Sequence, residues 1–465
     1  MNIIKHIILS KYFLLILVFV FSGCSSMVTT TEQYDAIEKL IVQENYSQAA
    51  SVFANGKNEH FGAKDRVLYW LDAGLLNHYA LQDSLAILNL QKADFAIEEL
   101  FTTSISKGAA SMLLNDNALD YSGEDYENLY INVFKALSYY RNGSSESALV
   151  EIRRLIEKFI VIEKNFEQEI RRLKDSKETQ GEVEDVSMNF YSSALAHYIS
   201  MILFYNDHDY DDARISKENL YSAFDNQKDL YNFPKPNLDT LLEKGAKSKL
   251  AFLTFLGNAP IKYEYTFSID TFKDQIVISV MENGRWKIFS SMNWYGVDGG
   301  LHAKFAVPKM QKRGSVVAKV EISIDGQHIT DLYKLESLEE IAFETFKRDE
   351  AITYLKSITR TITKAIANEA LNKELDKNTG GEGWGSLTRM LSGALINTTE
   401  NADLRIAHYF PGFAYAGNVE VEPGIHNIEI IYKDKFNKTI ATDKFENYDV
   451  TRNKKINLIE TVFLH

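Results

Sequence analysis

Apolar residues recur three and four positions apart from Tyr34 to Phe233 and then at every second position in runs after Gly257, so the pattern predicts helices first and strands second. The six prolines, Pro234, Pro236, Pro260, Pro308, Pro411 and Pro423, all lie in the second half. The first half therefore lacks the residue that breaks helices by losing its N–H. Its punctuation is polar: Asn55-Gly56, Asn115-Asp116-Asn117, Asn142-Gly143-Ser144 and Asp207 to Asp212. Between these breaks the spacing predicts helices over Tyr69–Tyr79, Leu129–Tyr140 and Ser192–Tyr205, with Phe159–Lys177 extending another. Leu238–Leu256 also reads as helix.

A degenerate helical-hairpin repeat runs through this half. Tyr46-x-x-Ala49-x-x-x-Phe53, Asp83-x-x-Ala86-x-x-x-Leu90-x-x-Ala93, Ala148-x-x-x-Ile152-x-x-Leu155 and Tyr210-x-x-Ala213 with Leu220 resemble the second helix of tetratricopeptide units. Ala49 and Ala86 are spaced close to the repeat length of roughly 34 residues. Small residues at the alanine positions let neighbouring helices approach. A plain helical bundle with alanines at ordinary core positions fits the same pattern.

The character changes at Gly257-Asn258-Ala259-Pro260. Alternating or β-branched runs at Tyr263–Phe267, Ile276–Val280, Trp286–Ile288, Val316–Ile324, Val419–Val421 and Ile428–Ile430 predict strands. Asp325-Gly326 predicts a hairpin turn. One helix interrupts them, opened by the capping-box pattern Ser337-Leu-Glu-Glu340 and carrying an apolar stripe through Ile341, Phe346, Ile352, Leu355, Ile358, Ile362 and Ile366. A stripe that wide covers a sheet more often than it lies on a membrane. The glycine-rich Gly380 to Gly385 then precedes a second helix around Leu387 to Asn397. The expected fold class is α+β: an all-helical, tetratricopeptide-like solenoid over 34–256, then a mostly antiparallel β-rich domain with packed helices over 257–465.

Ahead of both halves, Lys5 and Lys11 precede an apolar run, Tyr12–Phe21, that is short for a bilayer span, the layout of a signal peptide. Phe21-Ser22-Gly23-Cys24 follows, and Cys24 is the only cysteine. This order resembles the lipobox of bacterial lipoproteins, with phenylalanine in the usual leucine position. The resemblance implies removal of 1–23, acylation of Cys24 and a tether over 24–33. An ordinary secretory cleavage or an uncleaved anchor is the alternative. Two or more acyl chains hold a protein durably, where one holds it marginally. Ser25 is not the aspartate that in enteric bacteria retains lipoproteins at the inner membrane, so the expected location is the outer membrane, facing the periplasm. The formal charge is −13, and the leader carries two lysines and no acid. An acidic exported chain is a poor partner for nucleic acid, whose affinity rests on cationic neutralisation of phosphates. With Cys24 acylated, no thiol remains for a disulfide, a thiolate metal site or a nucleophile.

Several further segments together resemble an uncharacterised family of bacterial envelope lipoproteins with a tetratricopeptide-like front half. They are Leu114-Asn-Asp-Asn117 with Tyr121 to Glu127, Ala148 to Arg154, Gly257-x-Ala-Pro260-x-Lys262, Ala402-Asp403-x-Arg405 with Phe410-Pro411, and Pro423-Gly424-x-His426. Leu404-Arg405-Ile406-Ala407 departs from the family's Thr-Arg-Ser-Trp. In layout, relatives resemble the lipoprotein activators of peptidoglycan synthases, which implies a non-catalytic scaffold that binds another envelope protein; architecture alone does not fix function.

Candidate chemistry is sparse. Asp207-His208-Asp209-Tyr210-Asp211 with Glu218 has the oxygen spacing of a calcium loop, but Asp212 stands where the turn needs glycine, and a solvated inter-helix turn is the better reading. Asn115–Asn117 and Gly123-Glu124-Asp125 line a binding groove or else cap helices and hold a long loop. His78 and His197 fall within helices with no second histidine at ligand spacing, so packing is expected. His408 and His426, with Asp403 and Arg405, are where a site of the competing class would lie, an envelope hydrolase or glycan-binding protein. No nucleophile-elbow, zinc-protease or phosphate-loop pattern occurs. Trp384 between glycines reads as a docked aromatic on a linker or as an insertion into lipid or a partner. No catalytic, metal or cofactor residue is expected, and Cys24 is the one modification site.

Overall fold

The computed structural model describes residues 32–107, 116–175, 188–379, 401–450 and 455–465, apart from 244, 246, 283, 298 and 301. Cys24, Asn115, Trp384 and the helix expected at Leu387–Asn397 lie outside them.

The helical part consists of α1 (Glu32–Val42), α2 (Tyr46–Asn55), α3 (Lys57–His60), α4 (Arg66–Tyr79), α5 (Asp83–Lys107), α6 (Asp125–Arg141), α7 (Ser145–Asp175), α8 (Ala194–Asn206), α9 (Tyr210–Asn226) and the single turn α10 (Asp239–Leu242). Local signals start them. Asn45, Ser193 and Asp209 accept hydrogen bonds from the amides of Gln48, Ala196 and Asp212, each satisfying an N–H that the first turn leaves open. The polar breaks then fold the chain into successive pairs: α4 packs on α5, α6 on α7 and α8 on α9.

The pairs form two layers. The outer helices keep one exposed face, whereas α4, α6 and α8 are buried almost all round, because a sheet covers their other side. That sheet contains β1 (Ser248–Leu256), β8 (Tyr333–Ser337), β9 (Phe413–Val421) and β12 (Ile456–Phe463) in the order β12-β1-β9-β8. The helix expected over Leu238–Leu256 is therefore corrected. After α10 the chain enters β1, which pairs parallel with β12 and antiparallel with β9. All nine residues of β1 are buried, since both faces are covered, and a strand buried on both faces shows the continuous apolar run that periodicity cannot tell from a helix. The helical section thus ends before 248 and not at 256.

Ala251, Leu253 and Phe255 face the helices and share one core with Tyr79, Phe134 and Tyr198. Leu250, Phe252 and Leu256 face the opposite way, onto a second sheet, β11-β10-β6-β7, made of β6 (Lys319–Ile324), β7 (Gln327–Asp331), β10 (Gly424–Lys433) and β11 (Thr439–Val450). Asp325 and Gly326 turn β6 into β7 with positive φ values of 52° and 77°, the conformation a two-residue hairpin needs.

The third sheet, β4-β3-β2-β5, comprises β2 (Ile261–Phe272), β3 (Gln275–Glu282), β4 (Arg285–Asn293) and β5 (His302–Gln311). Its inner face packs Phe267, Ile278 and Phe305 against Ile358 and Ile362 of α11 (Leu338–Thr379). Ser337 starts that helix by accepting from the Glu340 amide at 3.2 Å. The fold is α+β, with three mostly antiparallel sheets. Among the described residues no helix is long and apolar enough to cross a membrane.

Candidate functional site

Gly123-Glu124-Asp125 does line a groove. It forms one end of a cleft of about 320 Å³ between α5 and α7, at the start of α6. Gly123 has φ +80°, which favours glycine, and a Cβ there would sit 3.2 Å from the end of the Ile97 side chain, which would have to shift slightly. Glu127 completes the turn: its carboxylate accepts from the Glu124 amide at 2.9 Å and from the Tyr121 hydroxyl at 2.7 Å. Burial, then the neighbouring Glu124 charge, pushes the Glu127 pKa up to about 7.

The cleft walls are divided in character. Ile97, Leu100 and Phe101 of α5 face Val161 and Ile162 of α7, and Asn128, Arg154, Glu157, Lys158 and Asn165 supply the polar side. Beneath them lies a buried charge cluster. Asp94 bonds Lys158 at 2.7 Å, Lys135 at 2.9 Å and Arg154 at 3.3 Å, and Lys135 also reaches Glu151 at 2.8 Å. Burial raises the Asp94 carboxyl, but Lys158 and Lys135 outweigh it and hold the group below the usual carboxylate range. Burial lowers the Lys158 ammonium in spite of Asp94. Breaking such a cluster strands charges, so it fixes α5, α6 and α7 in register.

The third module braces the same site. Arg348 of α11 bonds Asp125 at 2.7 Å and Glu163 at 2.9 Å and lies 4.2 Å above the Phe166 ring. Lys262 of β2 bonds Glu124 at 2.5 Å.

The other sequence candidates are structural. Asn117 donates to the carbonyls of Asn401 and Ala402, anchoring the 401–410 loop. Arg405 of that loop grips Asp403 at 2.7 Å and Asp65 at 3.1 Å and donates to the carbonyls of Asp116 and Leu119. Although burial opposes it, Arg405 holds Asp403 below the ordinary carboxylate range. The His408 ring stacks on Tyr34 at 3.7 Å and 4°, and its amide donates to Asp72 at 2.8 Å. His426 is on β10, 2.8 Å from Asp325. Asp403 and Arg405 therefore meet each other, while His408 and His426 serve different contacts.

His78 is enclosed between Glu460 at 2.7 Å and Ser138 at 2.8 Å. His197 meets Ser192 at 3.0 Å, and burial pushes it down to about 4. Asp209 caps α9, while Asp211 and Glu218 both bond Arg214, so this segment is an inter-helix turn. Glu321, His328 and Asp331 lie close enough to share a cation, but Lys319 and Lys433 neutralise the two carboxylates. Sequence reasoning missed Glu336, a buried carboxylate that accepts from the Tyr130, Ser193 and Tyr231 hydroxyls and the Leu195 amide. Its alternation partner Leu335 is apolar and equally buried, so no periodic signal marked it.

Burial, then the Arg313 charge, pushes the His408 pKa down to about 3 from 6.5, and its Nδ1 has neither solvent nor a partner. A folded pKa below the unfolded one means stability is intact above about pH 6.5 and is lost as pH falls toward 3. Linkage gives a loss of about 2 kcal/mol between pH 8 and pH 5. His408→Phe keeps the stacking and removes the proton site, so urea unfolding at these two pH values is expected to show a correspondingly smaller difference.

Comparison with known protein families, curated proteins and solved structures finds no match to this chain.

Proposed function

We propose that the mature chain is a bacterial lipoprotein, anchored through Cys24 in the outer membrane, that binds another envelope protein without catalysis, in peptidoglycan synthesis or envelope assembly. The stacked hairpins α4–α5, α6–α7 and α8–α9 act as a tetratricopeptide-like unit. Their inner helices are covered by the β12-β1-β9-β8 sheet, which moves the partner surface to the outer helices. The observation that carries the reading is the α5–α7 cleft, open to solvent, with an apolar strip from Ile97, Leu100, Val161 and Ile162 beside a polar side. Its size is in the range of a real binding pocket, and it is held rigid by charges that a partner need not organise. The geometry supports the hydrolase or glycan-binding alternative less, since Asp403 and Arg405 brace the 401–410 loop and the His408 ring stacks on Tyr34.

The test is photocrosslinking in membranes from a benzophenone side chain at Val161. A protein adduct that disappears with Leu100→Glu, while Leu100→Glu retains native unfolding behaviour, is the expected result. Recovery of lipid and glycan adducts alone contradicts the scaffold reading.

A further inference from the structure

We propose that the face of the third sheet turned away from α11 lies on an acidic phospholipid bilayer, as a second membrane contact; the inference rests on the anchored reading of Cys24. α11 covers the face that carries Phe267, Ile278 and Phe305. At one edge of this sheet β4 pairs with β3 alone among the described residues, and every residue from Arg285 to Phe289 is exposed. Trp286 stands opposite Met281, and Ile288 opposite Ser279. The pleat therefore puts Trp286, Met281 and Ile288 together on the face opposite the buried Ile278 and Val280. Ile288 is 75% exposed and Trp286 41%, and clustered apolar surface of this kind marks a protein or membrane contact.

The chemistry around the patch is that of a bilayer interface. From Ile288 a row crosses the sheet through Ser279 and Ser268 to Lys304. Both serines are buried, and Lys304 Nζ lies 5.8 Å from the centre of the Trp286 ring, so the indole and the lysine stem extend toward each other over a floor of small side chains. Tryptophan favours the headgroup level of a membrane, and a lysine stem lies on apolar surface while its ammonium reaches out to the headgroups. Charge agrees. From Ile261 to Gln311 six lysines and arginines stand against five acids, in a chain of net −13. Lys287 and Lys309 are paired with Glu282 and Glu350. Arg285 has no ion pair among the described residues, and Lys304 has only the Trp286 ring, against Glu264 farther along β2. Cations beside apolar side chains are what an acidic lipid surface holds. Such a surface is also within reach. The tether over 24–33 spans at most about 35 Å, and α1, which follows it, passes the foot of this sheet, where Glu38 lies 4.0 Å from Arg313 just after β5.

The test uses the purified lipidated chain reconstituted into vesicles of phosphatidylethanolamine and phosphatidylglycerol that contain a lipid with a nitroxide on its headgroup. With the Cys24 sulfur acylated, Ile288→Cys and, separately, Ile160→Cys supply one thiol each for a fluorescent probe, at positions of matched exposure, 75% and 72%. Quenching at position 288 is expected to exceed that at position 160 on α7 at least about threefold. Arg285→Glu with Lys304→Glu is expected to lower it about twofold, and all variants keep the unfolding curve of the parent. Equal quenching at the two positions overturns the inference. So does a probe at 288 that is shielded from aqueous iodide yet untouched by the nitroxide lipid, which assigns the face to a second copy or a protein partner. Intact mass of the same preparation separates the two readings: equal quenching with Cys24 acylated removes the sheet contact alone, and a free Cys24 thiol removes both.

Discussion

Arg405→Met is expected to cost about 3–5 kcal/mol in urea unfolding, the range for removing one partner of a buried ion pair. The size follows from what the guanidinium leaves behind. Asp403 and Asp65 would each keep a carboxylate in a site built for a cation, and the Asp116 and Leu119 carbonyls would lose a shared donor. Because those carbonyls and Asp65 belong to the helical half and Arg405 to the loop before β9, the loss loosens the two halves from each other. A charge-free combination, Asp65→Asn with Asp403→Asn and Arg405→Met, is expected to recover a substantial part of the loss, since no stranded charge remains. A cost under about 1 kcal/mol for the single change would show that the cluster does not hold the halves together.

Glu336→Leu is expected to cost about 4 kcal/mol by the same measurement. Four donors converge on this carboxylate, from Tyr130, Ser193, Leu195 and Tyr231, and each buried donor left without an acceptor costs about 1–3 kcal/mol before relaxation. The donors lie on α6, at the start of α8 and after α9, and the acceptor on β8, so the residue joins the inner helices to the edge of the first sheet. Tyr130→Phe with Tyr231→Phe removes two donors together with their need for an acceptor. In that background Glu336→Leu is expected to cost clearly less, which a role for Glu336 in backbone geometry alone would not produce.

These two residues mark the limit of what the chain discloses by pattern. Signals confined to a few positions are legible: Asp325-Gly326 as a hairpin, Ser337 as a helix start, and Gly123-Glu124-Asp125 as a cluster that lines a groove or caps a helix, where the structure shows both; the caps Asn45, Ser193 and Asp209 are not singled out by the sequence. Each depends on backbone geometry that neighbours set. What failed depends on partners hundreds of positions away. Leu238–Leu256 reads as helix by pattern because the features that make Ser248–Leu256 a strand, β9 on one side and β12 on the other, come from the last part of the chain. Arg405 stands out in the sequence as part of a possible site, yet its partners are Asp65 and carbonyls before α6, which spacing does not reveal. Glu336 left no trace because a buried carboxylate in a strand looks like a solvent-facing one.

The stacking of helices on sheet also changes where a partner can dock. In the tetratricopeptide-like reading proposed above, a free solenoid would offer its inner, concave face; here Tyr79, Phe134 and Tyr198 of the inner helices pack against Tyr409, Phe255 and Phe252. The chain's own β1 and the loop before β9 occupy that side of the inner helices. The outer helices carry exposed apolar positions at Leu88 and Phe95 of α5 and at Ile156, Ile160 and Val161 of α7, as the sheets do at Ile288 and Phe289, and of these Val161 lines the cleft proposed to receive the partner. The proposed lipid anchor would present such a face at a membrane and so confine the search for a partner to a surface.

Intact-mass spectrometry of the protein extracted from membranes tests the anchored-scaffold account most directly. The account predicts a mature chain beginning at Cys24, with a diacylglyceryl group on its sulfur and a further acyl chain on its new amino terminus; a free Cys24 thiol, or a chain still carrying residues 1–23, would contradict it.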